Sequence, residues 1–453
     1  MLRLARQNEC RGYRRIREYR LVAYVFGTLR FLALSWPMAA MGGLASPSDA
    51  GWNGGAWQMN FPVAHPRTAD QLSRRTVLGG VAVSVAGTAA AGLLRGSASP
   101  VRRARPTPCS EGWYAPDDNV RHERTWMAWP ARRDIWGSML PGVRDDVARV
   151  ARAIAVFEPV VMVARPDQAR DAARACGKGV EIVELVNDDL WMRDMGPVFL
   201  VDGHGGLAGL DMNFNGWGNK QVHVHDAKIA REVLALLGVR RFVAPFVSEG
   251  GALVVDGHGT VMATESSIIN PNRNPGQSKA QLTREILSYL GGKKMVWVPG
   301  LRGQDITDDH IDGLARFVRG AEVVVDQPAD PRATDVWAVS ERQALRVLRH
   351  STDAAGQRLR CLISRESHTI PPHENPNLFV NVYVNWYICN GAVLVPKFGD
   401  PHSDGAAREL VHRLYPDRDV IQLTINNLSE GGGGIHCVTQ QQPAAQREGG
   451  GLI

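Results

Sequence analysis

In residues 141 to 157 the apolar positions fall at alternating four- and three-residue steps: Val143, Val147, Val150, Ile154 and Phe157. This spacing lines one face of a helix, with Pro141 in its first turn. Asp226 ahead of Ile229, Val233 and Leu236, closed by Gly238, predicts a second helix. Ser278 ahead of Leu282, Ile286, Leu287 and Leu290, closed by Gly291, predicts a third. Each is short with one apolar stripe, suited to covering a sheet from outside. Apolar runs predict strands over 159–164, 180–186, 242–247 and 295–298, and a hairpin in which 379–389 meets 392–398 across Asn390-Gly391. No long Pro/Gly/Ser linker interrupts residues 112 to 443, so the pattern predicts one α/β domain.

One internal echo suggests how that domain repeats. Val201-Asp202-Gly203-His204-Gly205 recurs as Val255-Asp256-Gly257-His258-Gly259, each time as a turn between apolar strands. Asp194 lies eight residues before Asp202, and Glu249 lies seven before Asp256. Similar positions in successive repeats aim both carboxylates at a shared centre.

Charge divides the chain. The formal net charge of the 453 residues is +6, yet residues 1 to 105 hold 15 Arg, no Lys and 4 acids, a balance of +11. The remainder holds 37 basic and 42 acidic side chains, a balance of −5. A mildly acidic body argues against a nucleic-acid partner and tolerates a cationic substrate. Within the basic segment, Ser73-Arg74-Arg75-Thr76-Val77-Leu78 precedes an Ala/Gly/Val-rich run from Gly79 to Leu94 and small residues at Gly96, Ser97 and Ala98. The order is that of a twin-arginine export signal, with no stable membrane association after processing; an uncleaved anchor is the alternative, though the run is short for a span. Met59 stands 15 residues before Arg74, so residues 1–58 read as a mis-annotated extension, 59–105 as signal peptide and linker, and 106–453 as the catalytic domain. Five cysteines lie beyond the leader, so at least one thiol is spare, and none forms a CxxC pair that suggests structural zinc.

Four segments place a reactive residue beside Gly or Pro at a strand edge: Trp191 to Pro197, Glu249 to Gly251, Asp308 to Asp312, and Gly431 to Gly434 followed by Ile435-His436-Cys437. Such loops let backbone approach a ligand closely. Together they offer a thiol, an imidazole and several carboxylates. That set suits attack on a planar cation: carboxylates hold a guanidinium, the thiolate adds to its carbon, and the imidazole moves protons. Taken singly, Cys437 could be a buried core thiol, Asp194 a partner of Arg193, Glu249 a backbone cap, and His310 with Asp312 a metal-site fragment. Trp191 and Trp217 could be core residues or aromatic faces for a cation.

These segments resemble the agmatine deiminase and bacterial peptidylarginine deiminase family. Trp191 to Pro197 resembles its W-x-R-D-x-G-P motif, Glu249 to Pro275 its E-G-G block ending in N-P-N-R-N-P, and His310 to Asp312 its H-x-D pair. Asn381 to Asn390 and Gly431 to Pro443 resemble its last two blocks. The resemblance implies a five-bladed α/β propeller of ββαβ units. It implies Cys437 as nucleophile, His310 as general acid and base, and Asp194 and Asp312 as the grip on the guanidinium. Trp191, Trp217, Glu249 and Asn385 would line the substrate site. It further implies a covalent thiouronium adduct, release of ammonia and a ureido product, without metal or organic cofactor. The substrate could be agmatine, peptidylarginine or free arginine: export favours a peptide, while the N-P-N-R-N-P block and Trp217 lean towards agmatine. A non-catalytic binding protein or a cysteine protease is a rival reading of the same residue types. Three departures stand out: Gly434 where the family often has Asn, a short connection after Trp217, and Asp309 where Gly is common.

Overall fold

The computed structural model describes residues 106–372 and 379–444; the proposed extension, signal segment and linker up to residue 105 lie outside them. Five separate sheets are built from one repeated plan: two antiparallel strands, a helix, then a third strand parallel to the second. The second blade pairs β4 (Val198–Val201) with β5 (Leu207–Asp211), then returns through a helix to β6 (Arg240–Val243). The third uses β7 (Val254–Val255), β8 (Thr260–Thr264) and β9 (Lys294–Val298). The fourth uses β10 (Ala315–Arg319), β11 (Glu322–Gln327) and β12 (Arg360–Arg365), and the fifth β13 (Tyr387–Cys389), β14 (Ala392–Lys397) and β15 (Asp419–Thr424). The first blade joins both ends of the domain: β16 (Gln440–Pro443) pairs antiparallel with β1 (His122–Ala128), which pairs parallel with β2 (Val160–Ala164) and, beyond it, β3 (Val180–Glu184). The expected five-bladed α/β propeller is the fold.

The crossover helices explain the 3.6-residue pattern. They are α1 (Leu140–Ile154), α2 (Ala169–Cys176), α3 (Asp226–Leu237), α4 (Lys279–Leu290), α5 (Val336–His350) and α6 (Pro401–Leu414). Val143, Val147, Val150 and Ile154 of α1 are fully buried, each worth ~1.5–3 kcal/mol relative to exposure. Ser278 caps α4 through Gln281 N, and Gly238 and Gly291 end α3 and α4 in the left-handed conformation, as expected from sequence. The echoed turns are alike in detail. Asp202 Oδ1 accepts from His204 N and Gly206 N, and Asp256 Oδ1 accepts from His258 N and Thr260 N.

Two expected strands are shifted. The run over 242–247 is strand only at its first two residues, because β6 must begin at Arg240 to stay in register with Ala208 of β5. The hairpin arm over 379–389 is strand only at Tyr387–Cys389; upstream, Asn385 turns its carbonyl to His436 N at 3.2 Å instead of to a neighbouring strand.

Candidate active site

The reactive residues occupy one place in the repeat, just ahead of the first strand of each blade. Asp194 lies in the helical turn Met192–Met195 before β4, and Glu249 opens the turn Gly250–Ala252 before β7. His310 and Asp312 frame the turn Ile311–Gly313 before β10; Asn385 precedes β13, and Cys437 precedes β16. Five chain segments distant in sequence therefore deliver one functional side chain or pair each.

Gly251 marks where they converge. A Cβ placed on it would lie 2.7 Å from His310 Nδ1, 2.9 Å from Asp194 Oδ1 and 3.2 Å from Asp312 Oδ1, so no larger residue leaves the centre intact. The Gly251 N–H donates to Asp194 Oδ1 at 2.9 Å, and Trp217 Nε1–H donates to Asp194 Oδ2 at 2.9 Å. Trp217 takes φ 55° to reach it, a left-handed backbone rarely adopted by an aromatic residue. His310 lies between carboxylates, with Nδ1 3.7 Å from Asp194 Oδ2 and Nε2 3.3 Å from Glu249 Oε2. Behind Glu249, the fully buried Arg273 donates Nε–H to Oε1 at 3.0 Å and also pairs with Asp308.

The glycine run before Cys437 is shaped by three neighbours. A side chain at Gly431 would strike the Trp136 ring, at Gly433 the Trp191 ring, and at Gly434 the Asn385 amide. Trp191 packs on Trp136 with ring centroids 6.0 Å apart, so the run lies across a tryptophan pair. The half-buried Cys437 thiol faces Asn385 Oδ1 at 3.4 Å and Asp312 Oδ2 at 3.8 Å. Asp312 Oδ2 also lies 2.7 Å from His436 Nδ1.

Burial and neighbouring charge set the protonation states. Burial raises the Asp194 carboxyl to about 6; His310 opposes the rise, while Asp312 and Glu249 add to it. Burial would neutralise His310, but Asp194, Glu249 and Asp312 outweigh it and lift the imidazole to about 9, so it is an imidazolium at neutral pH. Glu249 and Asp312 resist the same burial: His310 and Arg273 hold the first below its ordinary value, and His436, His310 and Arg316 hold the second. His436 itself is lowered by burial and by Arg193 and Arg316, so it serves Asp312 through a neutral N–H more than through charge. Burial, then Asp312 and Asp194, keep the Cys437 thiol well above its usual value.

All eight residues singled out from sequence fall in this region. Sequence reasoning missed Arg273, His436 and Gly251 as individuals, although all three stood inside quoted motifs. An arginine among Asn and Pro, and a histidine beside the cysteine, were the available signals. The N-P-N-R-N-P block acts here through Arg273 beneath Glu249, with Asn274 pinning the loop by accepting from Val247 N and donating to Val247 O and Ile268 O. The Asp309 departure has a backbone reason: its φ of 69° is the conformation that favours Gly. The five described cysteines are free thiols.

Five ββαβ blades that each send a residue to one centre define the pentein class of α/β propellers. Residues 114–443 match the profile of the Porphyromonas-type peptidyl-arginine deiminase family, and the chain belongs to that family. It is 42% identical over 338 residues to a protein of Streptomyces coelicolor, covering 72% of this chain and 98% of the relative. It is 36% identical over 367 residues to the agmatine deiminase of Stutzerimonas stutzeri, covering 75% and 97%. The solved agmatine deiminase of Enterococcus faecalis superposes with a TM-score of 0.72 at 29% identity, over 76% of this chain and 99% of that one.

Proposed function

We propose that this chain is a hydrolase acting on the carbon–nitrogen bond of a guanidine, with agmatine as substrate and N-carbamoylputrescine and ammonia as products. The observation that carries the reading is the convergence of Asp194, Asp312 and His310 on one point beside the Cys437 thiol. Relatives matched over nearly their whole length bear the name agmatine deiminase, which supports the substrate.

Asp194 and Asp312 take the guanidinium by charge-assisted hydrogen bonds. The cation offsets the two carboxylates that, after burial, disfavour a thiolate, and its own positive charge beside the sulfur favours the ionised form. The half-buried thiol gives its proton to solvent, and the Cys437 Sγ thiolate forms a bond to the guanidinium carbon, whose carbon–nitrogen double bond opens onto nitrogen. Asn385 holds Sγ, and Asp312 is itself held by His436. His310, already an imidazolium, gives its proton to the departing nitrogen, so the carbon–nitrogen bond breaks as ammonia leaves. The resulting neutral imidazole takes a proton from water, whose oxygen adds to the thiouronium carbon; the carbon–sulfur bond then breaks with its electron pair on sulfur and the adduct's hydroxyl proton leaves, giving the ureido product, the Cys437 thiolate and the restored His310 imidazolium. Glu249, fixed by Arg273, keeps the imidazole oriented through both halves.

The purified full chain releases ammonia from agmatine with a higher kcat/KM than from free arginine or a peptide with an internal arginine. A peptide that outperforms agmatine overturns the substrate; no ammonia from any guanidine overturns the reaction. Cys437→Ala loses turnover by ~10⁴-fold or more while retaining agmatine binding. The Ser73 to Leu78 segment is read as an export signal, so fractionated cells carry a shortened chain outside the cytoplasm; full-length protein confined to the cytoplasm contradicts that.

A further inference from the structure

Three carboxylates outside the active site are buried together in the fourth blade. Asp326, one residue from the end of β11, lies directly opposite Ser364 of β12, and Glu366, two residues beyond Ser364, continues on the same face. α5 crosses that face and buries Ala338, Glu341, Ala344, Leu345 and Leu348. Glu341 thus fills a position that the helical period assigns to an apolar side chain, and Asp326 follows the buried run Val323-Val324-Val325. One carboxylate oxygen from each of Asp326, Glu341 and Glu366 lies within 4.8 Å of the other two.

These acids lack the partners that buried charges ordinarily have. Asp326 is fully buried, and neither of its carboxylate oxygens has a hydrogen-bond partner among the described residues; the Ser364 hydroxyl lies beside it without reaching bonding geometry. Glu341 Oε2 is equally unpartnered. Among the described residues, no Lys, Arg or His forms an ion pair with any of the three; the Arg365 guanidinium donates instead to Pro328 O at 3.0 Å. Glu366 Oε2 accepts weakly from Ala329 N at 3.4 Å, its carboxyl lies against that of Glu341, another acid, and its half-buried position opens the cluster to solvent. Unpaired carboxylates inside a protein are costly, and two remedies exist: shared protons or a cation.

We propose that Asp326, Glu341 and Glu366 form a binding site for a divalent cation with oxygen preference, calcium first. The donor set is all carboxylate oxygen, which suits hard cations. Carboxylate oxygens gathered within 4.8 Å of one another suit an ion that accepts longer bonds and irregular geometry, as calcium does; magnesium demands shorter, near-octahedral bonds and retains more water. Burial raises all three carboxyls; Glu366 adds to the rise at Asp326 and, with Asp326, at Glu341, while Asp335 adds to it at Glu366. Ser340, beside Glu341, donates to Asp309 Oδ2 at 3.3 Å, and Asp309 adjoins His310, so an ion here fastens α5 behind the histidine loop. The site shares no residue with the deiminase centre and stands or falls independently of it.

The test uses the full chain stripped of metal with a chelator. Equilibrium dialysis is expected to return one calcium per chain. Calcium at about a hundredfold excess over Kd is expected to raise Tm by a few °C. Both effects disappear in Glu341→Gln, which preserves shape, and in Glu366→Gln, whose half-exposed side chain makes misfolding a poor explanation. No calcium held by the wild type at millimolar concentration overturns the proposal. So does binding that survives undiminished in both variants; the cluster is then a proton-sharing one.

Discussion

Two trios of buried carboxylates flank the same loop, Thr307 to His310, and they are equipped differently. Asp194, Glu249 and Asp312 come with counter-groups already in place: His310 between the first two, Arg273 against Glu249, and His436 and Arg316 serving Asp312. Asp326, Glu341 and Glu366 have no ion-pairing partner among the described residues. The first trio pays most of its desolvation cost internally and keeps two of its acids ionised and ready for a substrate cation. The second stays neutral until protons are displaced. A count of buried acids does not distinguish a site that grips a transient cation from one that needs a resident one; the built-in counter-groups do.

Removing a counter-group is the strongest way to break this contrast. Arg273→Met leaves Glu249 and Asp308 buried without their guanidinium, and loss of one partner of a buried pair costs ~3–5 kcal/mol. Denaturant unfolding checks it. A variant within about 1 kcal/mol of wild type would mean that Lys220, which lies 2.7 Å from Asp308, and His310 suffice as counter-charges.

Next in size are the acids that face the substrate. Asp194→Asn and Asp312→Asn each remove one charge-assisted bond to a guanidinium and turn an amide NH₂ towards a cation, a loss of ~1.5–3 kcal/mol in transition-state binding. Read as kcat/KM, each falls roughly 10- to 150-fold. The same change at Asp326, outside the catalytic centre, leaves kcat/KM unaltered at a temperature where the variant is folded. A neutral ureido analogue that binds as tightly as the guanidine contradicts the assignment of Asp194 and Asp312.

Much of this was legible in the sequence because periodicity and turn chemistry are local. The stripe of α1, the caps of α3 and α4 and the paired Asp-Gly turns all follow from residues within a few positions of one another. The approach of Asp194 and Glu249 to one centre was visible in their similar distances, eight and seven residues, ahead of Asp202 and Asp256. Pairings that span the chain were not visible. Arg273 beneath Glu249 depends on a loop 24 residues away, and β16 pairing with β1 depends on opposite ends of the domain. The short β7 and the early start of β6 reflect register with neighbouring strands, which no local pattern encodes. Glu341 carried a local signal, a charge in an apolar stripe, but its partners lie elsewhere in the chain, Asp326 on β11 and Glu366 just beyond β12.

Asp309 joins the two trios and gives the smallest effect, separable by pH. It lies next to His310, accepts from Leu301 N at 2.9 Å and from Ser340 Oγ, and acts electrostatically on Glu341. Burial, then Asp305, raises its carboxyl from 3.8 to about 7. A carboxyl raised in the folded state favours folding most while it is neutral. Between about pH 4 and pH 7 the unfolded chain loses this proton and the folded chain keeps it, so the wild type loses stability across that window and levels off above it. Asp309→Asn cannot titrate yet still accepts from Leu301 N. Relative to wild type it should therefore gain at least about 1 kcal/mol between pH 4.5 and pH 7.5, measured by unfolding at both. A difference that stays constant with pH shows that Asp309 ionises freely and that the two trios are electrostatically separate. A difference that appears in chelator-treated protein and shrinks with added calcium shows that an ion beside Glu341 already supplies the missing counter-charge.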